Sequence, residues 1–241
     1  MLIGLIPVFN EEKTIIGVLN QLEKKLDYIV IVNDGSFDKT DSLISNWARN
    51  KKNVYYLSFK KNKGMSYALL QGFRFVSQQR RKGRFSHEDA IVMLDGDGQH
   101  DPDEINNMYE YFKNNNRDVL IAERDFSGYP SYRILGNSFL SLIASYLGKF
   151  KFRDIECGFK MMKIAFIENL LNYYIGYRYS CAGEIGIAAS LLGYKVDNNY
   201  KICVPYYRKR GPSFIDFFIN LILYLLVVIK IKRKKNKIFF E

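Results

Sequence analysis

Cysteine is scarce in this chain, and its placement argues against a disulfide framework or a thiolate metal site. Three cysteines, Cys157, Cys181 and Cys203, occur in 241 residues. Their number is odd, and their spacing matches no metal-binding or redox pattern. We expect reduced thiols in the core of a protein from a cytosolic compartment. The N-terminus carries no basic stretch or cleavage site, so it predicts a first strand and not a secretion signal.

A long apolar run is also missing. The apolar segment 214–229 has sixteen residues. As a helix it would span about 24 Å at ~1.5 Å per residue, against a hydrocarbon core of ~30 Å. Asp216, Asn220 and Tyr224 recur every four residues along it, which gives the predicted helix one polar face.

A basic run follows this apolar segment directly. Six of the eight residues from 230 to 237 are Lys or Arg. If the segment spanned a bilayer from a cytosolic domain, these cations would emerge on the far side, against the positive-inside tendency. We therefore expect an amphipathic helix that lies on anionic lipids at the cytoplasmic face of the membrane, in a peripheral or monotopic protein. A core helix of a soluble domain, or a dimer contact, is the alternative.

Positive charge exceeds negative charge across the chain. The net charge is +11, from 36 Lys and Arg against 25 Asp and Glu. Such a surplus favours an anionic partner, either nucleic acid, phospholipid or a phosphorylated substrate. The basic run beside an apolar segment favours a membrane surface. The sequence has no aromatic-basic platform and no helix-turn-helix signal, so we expect no nucleic-acid partner.

Strands and helices alternate over the first 120 residues. Apolar patterns predict strands at 2–6, 28–32, 54–59, 90–94 and 119–122, and helices at 13–25, 38–47, from 64 and at 102–112. This alternation predicts an α/β fold with a three-layer, mostly parallel sheet. Residues 78–84 predict an exposed basic loop. Later strands are expected at 158–162 and 201–207, and later helices at 132–147 and 183–192. We expect one domain over 1–211 and a membrane-associating helix with its basic tail over 212–241.

Two carboxylates, Asp95 and Asp97, stand one glycine apart where an apolar run ends abruptly. Open α/β sheets bind ligands at the carboxyl ends of their strands. A hard divalent cation commonly binds there through one or two carboxylates together with substrate phosphates. The motif therefore favours an enzyme that handles a phosphorylated, nucleotide-linked substrate. A plain tight turn is the alternative, because Asp and Gly both favour turns.

Five further motifs line up in chain order with this pair. They are 7–12 (PVFNEE), 33–36 (NDGS), 62–64 (NKG), 154–160 (DIECGFK) and 208–213 (RKRGPS). Together they resemble family 2 glycosyltransferases of the GT-A fold, and most of all the dolichyl- or polyprenyl-phosphate sugar synthases. The resemblance covers roughly residues 2–213 and is specific as a set, whereas Asn-Asp-Gly-Ser alone could be any turn.

The resemblance implies where a nucleotide sugar binds. The residues expected to contact it are Pro7, Glu11, Asp34, Lys63 and Asp95. Carboxylates at positions 11 and 34 follow consecutive strands and suit hydrogen bonds to ribose hydroxyls or a base N–H. From the residues alone, Glu11 also fits a capping role near a helix N-terminus. Lys63 equally fits a simple helix start, although a cation and free N–H groups could meet a phosphate there.

A catalytic metal is implied as well. Asp95, Asp97 and Gln99 would hold Mg²⁺ or Mn²⁺ against the diphosphate, and Arg208 would act with Asp97 to stabilise the leaving group. His100 is expected to be structural, because a hard cation has little need of imidazole. Pro212 lies inside the Arg208 motif, where the related lipid-linked enzymes more often have an acidic residue, so this loop departs from the family pattern.

Basic residues after the fifth predicted strand are expected to bind the acceptor. The resemblance assigns the acceptor phosphate to Arg124, Arg133 and Asn137. Arg133 and Asn137 are one helical turn apart, so both can face one anion. Solvated charges on a surface helix are the alternative.

The expected reaction is transfer of one hexose, with inversion, from a GDP- or UDP-sugar to a polyprenyl phosphate such as dolichyl or undecaprenyl phosphate. A phosphate oxygen is already anionic at pH 7, so this acceptor needs no general base. A sugar hydroxyl, the alternative acceptor, would need one, for which Asp154 and Glu184 are candidates. A silent membrane-bound scaffold is the alternative of another class. The intact Asp95/Asp97 pair argues against a catalytically silent protein. By resemblance, the 157–160 stretch slightly favours the glucose-type enzymes.

Overall fold

A computed structural model describes residues 1–206 and 214–238, with the side chains of the last helix described from 215 to 236. Its elements are β1 (Leu2–Val8), α1 (Ile15–Leu22), β2 (Tyr28–Asn33), α2 (Thr40–Ala48), β3 (Val54–Ser58), α3 (Met65–Arg81), β4 (Ala90–Met93), α4 (Glu104–Asn114), β5 (Val119–Ile121), β6 (Glu123–Asp125), α5 (Ser131–Gly148), β7 (Lys160–Lys163), α6 (Ile164–Leu170), α7 (Cys181–Leu191), β8 (Val196–Asp197), β9 (Lys201–Cys203) and α8 (Phe214–Ile238).

Seven strands form one sheet in the order β3-β2-β1-β4-β7-β5-β8. Every neighbouring pair is parallel except the two that involve β7, which runs antiparallel to β4 and β5. The expected α/β fold with a mostly parallel sheet is confirmed. A parallel return to β7 would need a crossover helix against the sheet. The helix before β7 is α5, and it packs on α7 and α8 instead.

Helices cover both faces of the sheet. The chain steps outward from β1 through β2 to β3, and then crosses back to β4 on the other side of β1. Because such crossovers are right-handed, α1 and α2 lie on one face and α3 lies on the other. On the α3 side, α6 and α7 extend the layer, and α8 packs outside them against α7 and α5. A separate two-stranded sheet pairs β6 with β9.

A crevice opens where β1 and β4 part. Their pairing ends at Leu5 and Met93, whereas β1 stays paired with β2 as far as Val8. Pro7, which has no N–H to donate, falls in the stretch of β1 that β4 no longer covers. This is the point at which the direction of strand succession reverses, and open α/β sheets bind ligands there.

The predicted exposed loop at 78–84 is wrong for most of its length. Helix α3 continues to Arg81, so residues 82–84 are the part that lies beyond it. Glu168 of α6 holds this last turn, because its carboxylate accepts hydrogen bonds from Ser77 Oγ at 2.9 Å and Arg80 Nε at 2.7 Å. A polar, basic sequence therefore remains helical through contacts with a distant segment.

Two of the three cysteines lie in the core. Cys157 and Cys181 are buried, as expected, and burial raises the pKa of both thiols to about 12. Cys203 is exposed, so the core prediction is wrong for it. It lies in β9, where side chains alternate, and Ile202 is the residue that faces inward.

Helix α8 is longer than predicted and presents its polar face to the protein. Its twenty-five residues include most of the basic run. Asp216, Asn220 and Tyr224 are buried against the domain. The exposed side carries the large apolar residues Ile215, Phe218, Ile222, Leu225, Leu226 and Ile229. In the described part of the chain, no helix has the length and apolar character needed to cross a membrane. The expected boundary at 211/212 falls outside the described residues.

Gly183 of α7 is expected to control how closely α8 docks. A Cβ added there would lie 1.9 Å from Cζ of Tyr224, whose side chain is fully buried. Gly183→Ala should therefore lower the free energy of unfolding by about 1–3 kcal/mol through overpacking. Denaturant unfolding measures this change. Gly17→Ala is the matched control, because a Cβ at Gly17 of α1 meets nothing within 4 Å. It should be neutral or stabilising, and equal losses for both variants would contradict the packing argument.

Candidate functional site

The crevice between β1 and β4 leads into a cleft of about 700 Å³. Most of the site residues predicted from the sequence line it: Pro7, Glu11, Asp34, Lys63, Asp95, Asp97, Gln99, Arg124 and Arg133. Asn137 does not line the cleft, and Arg208 lies outside the described residues. Segments more than a hundred residues apart thus converge on one cavity, as the predicted common site requires.

Asp34 fixes the floor of the cleft at the end of β2. Its carboxylate accepts the backbone N–H of Lys63 at 2.9 Å and that of Gly64 at 2.7 Å. Burial raises the pKa of Asp34, although the two N–H groups act in the opposite direction. Gly64 has a φ of 96° and precedes α3, a backbone conformation that favours glycine. Asp34 therefore organises the loop that presents the Lys63 side chain to the cleft.

Asn33 and Ser36 hold the same turn from beneath. Asn33 Oδ1 accepts the backbone N–H of Ser36 at 3.1 Å, and Ser36 Oγ accepts the backbone N–H of Asn10 at 2.9 Å. Asn33 Nδ2 donates to Asp41 Oδ1 at 2.9 Å and to the Tyr56 hydroxyl at 2.9 Å. The Asn-Asp-Gly-Ser motif is thus a buried scaffold that joins the ends of β1 and β2.

The acidic loop after β4 brings two carboxylates and one side-chain amide to the cleft. Asp95, Asp97 and Gln99 all line the cavity, and Asp97 Oδ1 accepts the backbone N–H of Gln99 at 3.0 Å. Gly158 lies so close that an added Cβ would be 3.0 Å from Asp95 Oδ2. Two carboxylates and an amide oxygen suit a hard divalent cation that takes its remaining ligands from phosphate and water. The described residues contain no cluster of three or more His, Cys, Asp or Glu side chains placed to hold a metal by themselves.

His100 is structural, as predicted. It is buried and its ring stacks on Phe159, with 5.2 Å between centroids. Its Nδ1 accepts the backbone N–H of Asp95 at 3.3 Å, a bond that requires the neutral ring. Burial lowers the pKa of His100 to about 4. The imidazole therefore shapes the acidic loop from behind.

Glu11 joins the acidic loop to the first helix. Thr14 Oγ1 donates to Glu11 Oε2 at 3.1 Å and lies 3.1 Å from the carbonyl oxygen of Gly96. Thr14 is the N-cap residue of α1. Glu11 thus contacts the N-cap residue of α1 through its side chain and also lines the cleft.

Arg124, which lines the cleft, forms an ion pair with Asp154. Its Nε lies 2.7 Å from Asp154 Oδ2 and its Nη2 lies 2.9 Å from Oδ1, a two-pronged ion pair. The Asp154 carboxylate is fully buried. Asn137 Oδ1 accepts a third, longer bond from Arg124 Nη2 at 3.4 Å. Asn137 therefore contacts Arg124 from behind the cleft wall.

Arg133, at the start of α5, carries a buried donor that the described residues leave unused. Its Nε has no hydrogen-bond partner among them, although the side chain lines the cleft. A buried guanidinium N–H without an acceptor is costly. An anion in the cleft would satisfy it.

The two carboxylates considered as general bases have structural partners. Asp154 pairs with Arg124, and neither Asp154 nor Glu184 lines the cleft. Glu184 is buried in the first turn of α7, and it accepts the backbone N–H of Ile175 at 2.6 Å and of Gly176 at 3.3 Å. Glu184 therefore holds the loop that precedes α7 in place.

Several cleft residues were missed by sequence reasoning. They are Tyr129, Glu156, Lys160, Tyr177, Arg178 and Tyr206. Glu156 and Lys160 belong to the 154–160 motif, and their position in this motif is the sequence feature that could have indicated a place in the cleft. Arg178 has no motif around it. It comes to the cleft because Ser66 of α3 donates its N–H to the Arg178 carbonyl at 2.9 Å, which fixes the 175–180 loop over Gly64.

Comparison with known proteins identifies the family. The model of glycosyl transferase family 2 matches residues 5–171. An uncharacterized protein of Methanocaldococcus jannaschii is 32% identical over 214 residues, which are 86% of this chain and 89% of that protein. The UDP-N-acetylglucosamine–dolichyl-phosphate N-acetylglucosaminyltransferase of Methanococcus voltae is 28% identical over 203 residues, 77% of this chain and 78% of that enzyme. The chain belongs to glycosyl transferase family 2 and is a glycosyltransferase.

A solved structure supports the fold. Glucosyl-3-phosphoglycerate synthase of Mycobacterium tuberculosis, in complex with Mn²⁺, UDP-glucose and phosphoglyceric acid, superposes with a TM-score of 0.65 at 15% identity. The likeness covers 96% of this chain and 80% of that one. At such low identity it shows the fold, and the predicted glycosyltransferase architecture is confirmed at that level.

The Arg124–Asp154 pair is expected to stabilise the fold strongly. Asp154→Ala would leave a largely buried guanidinium without its counter-ion, at a cost of about 3–5 kcal/mol in the free energy of unfolding. Denaturant unfolding measures the loss. Asp103→Ala is the matched control, because Asp103 pairs with Lys25 at 2.7 Å while its own side chain is 83% exposed. That pair should contribute less than about 1 kcal/mol. Comparable losses in the two variants would refute the assignment.

Proposed function

We propose that this glycosyltransferase transfers a hexose from a nucleotide sugar to a polyprenyl phosphate, with inversion, at the cytoplasmic face of a membrane. The observation that carries the proposal is the polarity of the cleft. The same cleft is lined by the carboxylates Asp95 and Asp97 and by the guanidinium groups of Arg124 and Arg133, whose Nε has no partner among the described residues. This arrangement suits a metal-bound diphosphate facing a second anion.

The relatives support both substrates. The Methanococcus voltae enzyme bears the names of a UDP-sugar and of dolichyl phosphate, and the Mycobacterium tuberculosis structure holds Mn²⁺ with UDP-glucose. We infer a nucleotide-linked hexose as donor, with UDP favoured over GDP by these names. Dolichyl or undecaprenyl phosphate is the proposed acceptor.

On the donor side, each residue has a binding role. Pro7 and Glu11 form the wall beside the nucleoside, and Asp34 holds the loop from which Lys63 approaches the diphosphate. Asp95, Asp97 and Gln99 would hold Mg²⁺ or Mn²⁺, which when bound supplies positive charge to the leaving diphosphate. Arg208 is proposed to add to that charge, from a segment outside the described residues.

On the acceptor side, Arg133 and Arg124 orient the attacking phosphate. Arg133 Nε offers a donor for a phosphate oxygen, and Asp154 and Asn137 keep Arg124 in place beside it. The phosphate is anionic at neutral pH, so it can attack the anomeric carbon without losing a proton. Among the described residues, neither Asp154 nor Glu184, the carboxylates considered as general bases, lines the cleft. Glu156, which does line it, is the residue that a hydroxyl acceptor would use.

A continuous apolar surface supports membrane association. Helix α5 exposes Tyr132, Leu135, Phe139, Leu142 and Tyr146, and α8 exposes its own apolar side next to it. Phe139 of α5 stacks on Phe217 of α8 with 5.7 Å between ring centroids, and Phe217 meets Phe218 at 5.6 Å, which joins the two surfaces. Monomeric soluble proteins rarely expose apolar patches of this extent.

The charge beside this surface favours a lipid bilayer. The exposed cations Lys230, Lys232, Arg233, Lys234 and Lys235 follow the apolar side of α8. Such clusters bind anionic lipid head groups. The surface also begins at the acceptor site, because Tyr132 and Arg133 are neighbours at the start of α5. A lipid phosphate could thus enter the cleft while its chain stays on the apolar surface. We propose that residues 1–211 form the catalytic domain and that 212–241 form the membrane-associating segment. Helix α5 of the catalytic domain adds its apolar side to the membrane-binding surface.

The acidic loop is expected to be essential for transfer. The assay uses radiolabelled UDP- and GDP-hexoses, Mn²⁺ or Mg²⁺ and polyprenyl phosphate, and counts label extracted into organic solvent. Asp97→Asn should reduce transfer by about 100-fold or more, because it removes a charged ligand from the metal site. Asp101→Asn is the control, since Asp101 is exposed in the same region and does not line the cleft.

Full activity of Asp97→Asn would contradict the proposal that Asp97 holds the metal. Label in water-soluble glycans, with none in the organic phase, would instead favour the sugar-hydroxyl acceptor. No donor binding at all would favour a silent scaffold.

The apolar surface is expected to determine membrane binding. Ile222→Asp in α8 and Leu142→Asp in α5 should each weaken partition onto vesicles by at least about tenfold, because each removes a buried aliphatic contact with lipid. Flotation with vesicles containing phosphatidylglycerol measures this. Phe37→Asp is the control, since Phe37 is 84% exposed but lies in neither helix. Unchanged flotation of both variants would show that the surface faces something other than lipid.

A further inference from the structure

The polar face of α8 is connected to the cleft. Asp216 and Tyr224 lie one above the other on the buried side of the helix. Buried polar groups require hydrogen-bond partners. The partners that the structure gives them are two cleft residues. Arg178 Nε lies 2.5 Å from Asp216, and the Tyr224 hydroxyl donates to Glu156 at 2.5 Å. The helix that carries the apolar surface therefore also reaches the active site.

Tyr224 is the tighter of these two connections. It is among the largest fully buried side chains of the protein. Its ring packs against α7 at Gly183, where even one added carbon would collide with it. The hydroxyl therefore has little freedom to move, and it ends at Glu156 Oε1. Among the described residues, Tyr224 is the hydrogen-bond donor recorded for this carboxylate.

Glu156 lies where the two halves of the cleft meet. Two residues further along, Gly158 touches the acidic loop, since an added Cβ would be 3.0 Å from Asp95 Oδ2. Lys160 follows with a fully buried side chain that donates to the Ile155 carbonyl at 3.0 Å. All three line the cavity. Glu156 thus lies near the acidic loop. It belongs to the segment that begins at Asp154, the residue that pairs with Arg124.

The chemistry of this position suits a sugar. In the proposed reaction the hexose lies between the diphosphate at the acidic loop and the acceptor phosphate at Arg133. A hexose presents hydroxyl groups, and a carboxylate is the strongest acceptor for their hydrogen bonds. A carboxylate here would repel either phosphate, so a neutral polyol is the part of the substrates that it can bind.

We propose that Glu156 binds hydroxyl groups of the transferred hexose and that Tyr224 of α8 is the positioning residue that orients it. The C-terminal helix is then part of the donor-sugar site as well as of the membrane surface. This inference rests on the proposed function and deepens it, since it assigns the sugar contact.

The test separates sugar binding from nucleotide binding. Calorimetric titrations in detergent use Mn²⁺ with UDP-glucose, UDP-N-acetylglucosamine or GDP-mannose, and with sugar-free UDP and GDP as references. The variants are Glu156→Ala, Glu156→Gln and Tyr224→Phe, which removes the hydroxyl alone. Tyr200→Phe is the matched control, because it removes a hydroxyl that donates to a glutamate, Glu104 Oε2 at 2.8 Å, and Tyr200 does not line the cleft.

Glu156→Ala should weaken binding of the preferred nucleotide sugar by at least about tenfold and leave binding of the free nucleoside diphosphate within about twofold. Glu156→Gln keeps one acceptor oxygen and should lie between. Tyr224→Phe should shift sugar-nucleotide affinity in the same direction by about threefold or more, whereas Tyr200→Phe should not.

Five results would overturn all or part of the inference. Equal weakening of nucleotide sugar and free nucleoside diphosphate in Glu156→Ala would show a general disturbance of the cleft. Unchanged sugar-nucleotide affinity in Glu156→Ala would remove the sugar contact. Unchanged affinity in Tyr224→Phe, with Glu156→Ala affected, would remove the positioning role. If the unmodified protein binds the free nucleotides but no nucleotide sugar, the sugar site fails. If it binds no nucleotide at all, the proposed function fails and this inference falls with it.

Discussion

The site depends on the separation of β1 and β4 beyond Leu5 and Met93. Where the two strands stop pairing, their backbones lose the sheet as a source of hydrogen bonds, and buried backbone groups need other partners. His100 accepts the N–H of Asp95, just after β4. Around the same opening, Asp34 at the end of β2 accepts two N–H groups of the 62–64 loop. Much of the recognisable sequence therefore exists to hold an opened sheet edge in shape, and the cavity is what that opening leaves.

This arrangement explains which parts of the molecule could be predicted from the sequence. The strands of the first half follow from apolar runs closed by turn residues, and the motifs fall at their carboxyl ends, so Asp34 and Asp95 were placed correctly beside one cleft. Local pattern is enough there because the parallel sheet orders its strand ends on one side. The antiparallel β7 and the helical continuation to Arg81 depend on segments distant in sequence, and no local pattern reports them.

Carboxylates were the hardest residues to assign. Asp154 and Glu184 carry the same functional group as Asp97, and the sequence gives each a plausible chemical role. Their partners decide the matter, since Arg124 neutralises Asp154 and the backbone of the 175–180 loop occupies Glu184. Glu156, in contrast, reaches the cleft because a tyrosine from the far end of the chain holds it. A contact between residues 68 positions apart leaves no spacing in the sequence from which to infer it.

Helix α8 shows how the same pattern can be satisfied in two orientations. An amphipathic helix on a membrane usually directs its polar face to water. In this protein the polar face of α8 points inward, where Arg178 pairs with Asp216 and Glu156 accepts a hydrogen bond from Tyr224. The apolar face is exposed. Because Asp216 and Tyr224 have their partners inside the protein, the outer face of α8 presents mainly apolar side chains, which suit contact with lipid. In the proposed function, this one helix would set both the distance from the bilayer and the shape of the cleft, so that the same element would position a lipid-borne phosphate and the donor sugar.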